Sequence, residues 1–210
     1  MSFSEPGPSA VRRRRSSVRA AAVVVGAALV GILVYQSLTP SSFSATSPID
    51  VLLGDPHAAR GAADGLLPDG VTVFDDEHPA VTNLDPALLA ALRQAAADAA
   101  DDGVEIYVNS GWRSAEYQQQ LLREAVAEYG SKDEAARWVA TPKTSPHVSG
   151  DAVDVGDSLA RVWLSERGSG YGLCQIYGNE PWHFELRPEA IERGCPGMYV
   201  DPSHDPRMQP

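Results

Sequence analysis

Ser145-Pro146-His147-Val148-Ser149-Gly150-Asp151-Ala152-Val153-Asp154 is the stretch on which the reading of this chain turns. It begins as a loop punctuated by Pro146 and Gly150. It ends as a short strand, Ala152 to Val155, in which alternation sets Asp154 on the opposite face from Val153 and Val155. An imidazole in a turn is thus followed by a carboxylate on a strand. A histidine such as His147 is ordinarily a hydrogen-bonded loop residue, and an aspartate such as Asp154 ordinarily lies on the solvated face of an edge strand. The pair acquires meaning only from what surrounds it.

Downstream, Ser158 to Arg167 reads as a helix stopped by Gly168-Ser169-Gly170. Gly172–Tyr177 and Trp182–Leu186 read as two strands joined by the hairpin-like Gly178-Asn179-Glu180-Pro181. Upstream, Asp85-Pro86 opens a helix with an acid at the cap and proline at the first helical position, and Leu88, Leu89 and Leu92 follow at helical spacing to about Ala100. Val104 to Val108 alternates as a strand, with a Ser110-Gly111 turn after it. Ser114 caps a second helix ending near Gly130, whose inward residues are Leu121, Leu122, Ala125 and Val126. Ser131 and Glu134 are spaced as a capping box for a shorter helix ending near Val139. Thr141 to Gly150 reads as loop. The sum is an α+β domain with a small antiparallel sheet and helices packed against it.

Two further segments carry unusual residues. Glu180-Pro181-Trp182-His183-Phe184-Glu185 places a carboxylate ahead of a histidine across a turn-to-strand transition. Ser110-Gly111-Trp112-Arg113-Ser114 puts an arginine in a strand-to-helix turn. Two histidines and one aspartate, His147, Asp154 and His183, form a three-ligand set for Zn²⁺ with a fourth position left for water. Such water ionises near neutral pH, and Glu180, which need not be a ligand, suits the role of general base. Arg113 suits the stabilisation of an oxyanion. Trp182 and Trp112 are candidates for a low-dielectric wall. Structural alternatives stand beside each: Glu180 as a turn residue, Trp182 as core, Arg113 as a cap or salt bridge, Glu185 as a paired strand residue. His57, His78 and His204 lack supporting neighbours and read as surface histidines.

Taken together, S-x-H-x-x-G-x-A-x-D at Ser145 to Asp154, E-P-W-H at Glu180 to His183 and S-G-W-R-S at Ser110 to Ser114 resemble the motifs of the VanY-type D-alanyl-D-alanine carboxypeptidases, zinc peptidases of the M15 family. The resemblance spans roughly Leu84 to Leu186. It implies the D-Ala-D-Ala peptidase (Hedgehog-like) fold, zinc held by His147, Asp154 and His183, and Glu180 as catalytic base. It implies Arg113 as the group that polarises the scissile carbonyl, with Ser145 and Trp182 on the substrate. The implied substrate is a peptidoglycan stem peptide that loses its terminal D-alanine. L,D-carboxypeptidase and endopeptidase activities belong to relatives, and a non-catalytic, zinc-containing wall-binding module is the alternative of another class. Trp112 stands where an aromatic, often Tyr, is expected.

The first forty residues stand apart. Arg12 to Arg15 and Arg19 precede an apolar run, Ala20 to Tyr35, that extends to Leu38 with Gln36 and Ser37 as interruptions. A helix over 20–38 reaches about 28 Å, enough to cross a hydrocarbon core. The arginines would stay cytoplasmic and place the remainder outside. The expected organisation is a basic tail at 1–19, a signal-anchor at 20–38, a linker and irregular segment at 39–83, a peptidase domain at 84–197 and a tail at 198–210. Cleavage of the apolar run, with secretion, is the competing reading. Residues 1–39 hold five Arg and one Glu, so the outer part is more acidic than the chain's net −11. That composition argues against nucleic acid as a partner, and no protein partner is inferred. The two cysteines, Cys174 and Cys195, read as a disulfide in an exported domain, with two buried thiols as the alternative.

Overall fold

The computed structural model describes residues 61–209. The basic tail, the apolar run at 20–38 and residues 39–60 of the linker lie outside the described residues. No helix among the described residues is long and apolar enough to cross a membrane.

Four antiparallel strands form the sheet: β1 (Val108–Ser110), β2 (Ala152–Val155), β3 (Leu173–Gln175) and β4 (His183–Leu186), in the order β1-β2-β4-β3. Helices α1 (Pro79–Thr82) and α2 (Pro86–Asp101) precede β1. Helices α3 (Ala115–Tyr129), α4 (Lys132–Ala135) and α5 (Pro146–Ser149) lie between β1 and β2. Helix α6 (Ser158–Arg167) joins β2 to β3, and α7 (Ala190–Arg193) follows β4. The fold is α+β.

Strand alternation gives the sheet two distinct faces. Val153, Val155, Leu173 and Phe184 enter the main core, where they meet Leu88 and Leu92 of α2 and Trp163 and Leu164 of α6. Burying each such leucine contributes roughly 2 kcal/mol. Asp154, His183 and Glu185 alternate with these residues and lie on the other face. Asp85 caps α2 as its sequence predicts, accepting from the amides of Ala87 and Leu88. Ser114 caps α3 through Tyr117, and Gly130 ends it in the left-handed region. Ser131 accepts from the Glu134 amide at the start of α4.

Several boundaries differ from expectation. Val104 to Tyr107 stay outside the named strand, although Ile106 and Val108 are buried and so occupy the inward face that alternation assigns them. The ladder starts at Val108 because a bulge lets Val108 pair with Val155 and Ser110 with Asp154. Bulges commonly re-aim side chains beside active sites; this one delivers Ser110 and the turn after it to Asp154. The face of α3 centres on Gln118 and Ala125 rather than on its leucines. The loop before β2 contains one helical turn, α5, closed by Gly150 at φ 84°. A Cβ there would stand 2.5 Å from the Asn83 carbonyl oxygen, so only glycine fits.

The C-terminal segment folds back along the sheet. Tyr199 pairs with Tyr177, and a smaller cluster of Cys174, Ile176, Tyr177 and Ala190 packs against Met208. Cys174 and Cys195 are joined in a disulfide. Asp201 is buried and accepts from the Ser203 amide and hydroxyl, from Arg137 and from His204. Burial would raise its pKa, but the hydrogen bonds from Ser203, His204 and Arg137 outweigh it and bring the carboxyl down to about 2.

Replacing both cysteines by serine should lower stability by about 3 kcal/mol, the value expected for a loop of this size, read as a fall in Tm under non-reducing conditions. Asp201 has a folded pKa below its ordinary 3.8. Its contribution, on the order of 2 kcal/mol, is therefore full above that value and is lost as pH falls through about 2. The stability difference between the wild type and Asp201→Asn should accordingly be constant from pH 7 to 5 and shrink between pH 4 and 2 in denaturant titrations.

Candidate metal centre

Asp154 and His183 are register partners across β2 and β4. The third group, His147, enters from α5, whose single turn is held by the Asp151 amide on the Pro146 carbonyl at 2.7 Å. All three are buried, and one ligand atom from each lies within 4.8 Å of the others. His147 Nε2 is 3.4 Å and His183 Nδ1 3.3 Å from Asp154 Oδ1.

The outward edges of both rings are fixed. His147 Nδ1 lies 2.8 Å from the Gly111 carbonyl, which can only accept, so Nδ1 carries the proton and Nε2 presents its lone pair inward. His183 Nε2 lies 3.1 Å from Glu185 Oε1, and its Nδ1 faces the cluster. Metal-binding histidines are usually oriented in this way, through a hydrogen bond at the far nitrogen. Burial and then Arg113 push the His147 imidazole down toward the neutral form that a ligand needs. Burial would raise Asp154, yet His147, His183 and Arg113 hold its carboxyl well below the ordinary range. Burial would lower His183, but hydrogen bonds to Asp154 and Glu185 raise it to about 9. Two imidazoles with one ionised carboxylate form a donor set suited to zinc.

Arg113 donates through Nε to Ser110 Oγ at 2.7 Å, through Nη1 to Gln118 at 3.2 Å and through Nη2 to Asp154 Oδ2 at 2.8 Å. It thereby holds the outer oxygen of Asp154 and leaves Oδ1 facing the histidines. Glu180 is buried, with Oε2 at 3.8 Å from His183 Nδ1. Desolvation pushes its carboxyl up to about 7. Ser145 is buried as well, and its hydroxyl has no hydrogen-bond partner among the described residues.

These groups open onto a cavity of about 330 Å³ lined by Arg113, Ser145, His147, Asp154, Glu180 and Trp182. The structure therefore brings together every metal, catalytic and substrate residue read from the sequence. Trp112 is the exception among the wall residues: it does not line the cavity, and its carbonyl packs against Gly65. The aromatic wall comes instead from Trp182, Tyr177, Tyr129 and Trp138, the last two stacked at 6.1 Å. His78 and His204 stay away from the cluster. Pro202 and Met208 also line the cavity, although no motif pointed to them. The repeated Asp-Pro of Asp201-Pro202 and Asp205-Pro206 was a usable signal, because both open capped turns.

The family model for VanY, D-alanyl-D-alanine carboxypeptidase, matches residues 81–171, a span that holds Arg113, Ser145, His147 and Asp154. A D-alanyl-D-alanine carboxypeptidase of Enterococcus faecalis (strain ATCC 700802 / V583) is 38% identical over 109 residues, which is 40% of this chain and 40% of that protein. The resemblance to the VanY-type D-alanyl-D-alanine carboxypeptidases read from the motifs is borne out over that span. It spans about two fifths of the curated relative's length. Among solved structures, the chain is similar to a vancomycin resistance D,D-pentapeptidase VanY variant in complex with Zn(II). That protein is 32% identical, with 53% of this chain and 75% of that one covered and a TM-score of 0.48. An L,D-carboxypeptidase DacB from Streptococcus pneumoniae is 29% identical, with 53% and 71% covered and a TM-score of 0.45. Glu180 and His183 lie beyond the residues that the VanY model matches; in this chain the β2–β4 pairing carries His183 to the site, and Glu180 lies three residues before it in the preceding turn.

Metal-free chain titrated with Zn²⁺ should take up one ion per chain, and His147→Ala should weaken that uptake by roughly 100-fold or more. Calorimetry with both proteins checks this, and equal affinity would remove His147 from the ligand set.

Proposed function

We propose that the chain is a zinc metallopeptidase that removes the terminal D-alanine from peptidoglycan stem peptides. The observation that carries this reading is the buried Glu180 carboxylate beside His183, inside the cavity onto which His147 and Asp154 also open. A buried carboxyl is costly unless it is hydrogen-bonded or paired, and the charged partner of Glu180, His183 Nδ1, stands at 3.8 Å, beyond hydrogen-bond distance. A module that merely held its metal and bound the wall would have no need of one here.

His147 Nε2, Asp154 Oδ1 and His183 Nδ1 would hold the zinc. Bound there, it supplies Lewis acidity, which makes water nucleophilic near neutral pH. Glu180 Oε2 accepts the proton of the attacking water and returns it to the departing amine of D-alanine. Arg113 has five N–H donors, and three bonds to protein groups account for part of them. Its remaining N–H groups suit the carbonyl oxygen as it becomes an oxyanion. The Ser145 hydroxyl suits a polar group of the bound peptide, and Trp182 shields the reacting bond from water.

The bond choice in this reading is D,D, as in the name of the curated relative. L,D-carboxypeptidase and endopeptidase activity use the same machinery on a different neighbouring residue. The work would take place outside the cytoplasm. The disulfide supports this placement, as does the apolar run at 20–38 behind its arginines, acting as a single-pass anchor or as a signal removed on secretion.

Incubation with defined stems, followed by mass analysis, tests the reading. D-alanine should be released from a pentapeptide ending in D-Ala-D-Ala and not from the tetrapeptide. Release from the tetrapeptide alone would replace D,D with L,D choice, and release from neither would reject a carboxypeptidase. Glu180→Gln should lower kcat by about 10²–10⁴-fold with zinc content unchanged, and unaltered turnover would unseat Glu180 as the base.

A further inference from the structure

Behind His183 stands a second set of charges. Glu185 follows His183 by two residues on β4, so alternation places both side chains on the same face. Glu185 is fully buried. Its Oε1 lies 3.1 Å from His183 Nε2 and receives Arg207 Nη2 at 3.2 Å. Its Oε2 receives Arg187 Nη2 and Arg207 Nη1, each at 2.6 Å. Arg187 thus touches only the far oxygen, while Arg207 also secures the one that faces the histidine.

Arg207 is itself held in place. Its Nε donates to both oxygens of Asp205 at 3.1 and 3.0 Å, and its Nη2 also bonds that carboxylate. Asp205 is fully buried and accepts from the Tyr177 hydroxyl at 2.9 Å. The Tyr177 ring lies 5.1 Å from the ring of His183. Residues of the C-terminal segment therefore reach His183 by two routes: its Nε2 edge through Glu185, and its ring face through Tyr177.

We propose that Arg207 is a positioning residue of the metal centre. Through Glu185 it fixes the tautomer and ring orientation of His183, which makes the segment from 198 to 209 a working part of the site. A carboxylate bonded to the far nitrogen of a metal-binding histidine sets that ring's orientation and basicity, and loss of such support costs about 10- to 100-fold in metal affinity. Without Arg207, Oε1 of Glu185 keeps only its bond to His183 and is free to rotate around the Arg187 contact. The inference rests on the ligand set proposed above.

The test measures zinc affinity of the full chain by competition with a chromophoric chelator, and the visible spectrum of the Co²⁺-substituted protein. Arg207→Ala should weaken zinc by about 10- to 100-fold and shift the cobalt bands. Arg207→Lys, which keeps a cation against Glu185 without the paired geometry, should fall between Ala and wild type, and it carries the test should the alanine variant fail to fold. Arg137→Ala breaks the other anchor of the segment, at Asp201, without touching Glu185. It should lower Tm and leave zinc affinity unchanged. Equal zinc affinity and an unshifted spectrum in both Arg207 variants would overturn the inference. So would an equal loss in Arg137→Ala, which would reduce the role of Arg207 to docking of the segment. A wild type that binds no zinc would overturn the ligand set itself, and the inference with it.

Discussion

Asp154 and His183 face one another across the β2–β4 ladder, and the remaining groups of the site are arranged around that pairing. It places a carboxylate against an imidazole in a buried setting, where each must be balanced by further charge. Arg113 reaches Asp154 from one side, Glu185 meets His183 from the other, and Arg187 and Arg207 neutralise Glu185 in turn. An isolated buried ion is expensive, and removing one partner of such a pair leaves the other exposed to the full desolvation penalty. The network is tolerable because every carboxylate in it has a cation or an imidazole within hydrogen-bond distance.

The two histidines are oriented by different means. His147 depends on a neutral dipole, the Gly111 carbonyl, brought close because Gly111 lies against the backbone of Ala80, where a Cβ would stand 2.1 Å from the carbonyl oxygen. His183 depends on a full negative charge, itself braced by arginines. The first arrangement is local to the turn after β1. The second draws in the chain's distal segment, held by the disulfide, by Asp201 and by the smaller core around Tyr177.

Much of this was legible in the sequence. Helix caps at Asp85 and Ser114 are local chemistry, so α2 and α3 stand where their capping residues place them. The three motifs hold all of the proposed ligands, the proposed base and Arg113, because their chemistry is carried by rare residue types in a fixed order. What the sequence concealed is non-local. The bulge that starts β1 at Val108 depends on Val155, which lies far along the chain. The burial of Gln118 in preference to Leu121 and Leu122 depends on Arg113 and on the Ala140 carbonyl, both of which it bonds. Arg207 resembles any surface arginine until Glu185 is beside it. Trp112, a candidate for the wall by residue type, does not line the cavity, and its carbonyl packs against Gly65.

The alternation along β4 has a consequence for how this protein can change. His183 and Glu185 serve the site while Phe184, between them, fills the core. A one-residue insertion or deletion within the strand would exchange these duties, sending two ionisable groups into the apolar layer and an aromatic ring into the cavity. Such a frame slip could not spare the fold while abolishing the site, or the reverse. Insertions and deletions that this protein can accept are therefore those in the connections between strands, and the ladder itself can change only by substitution.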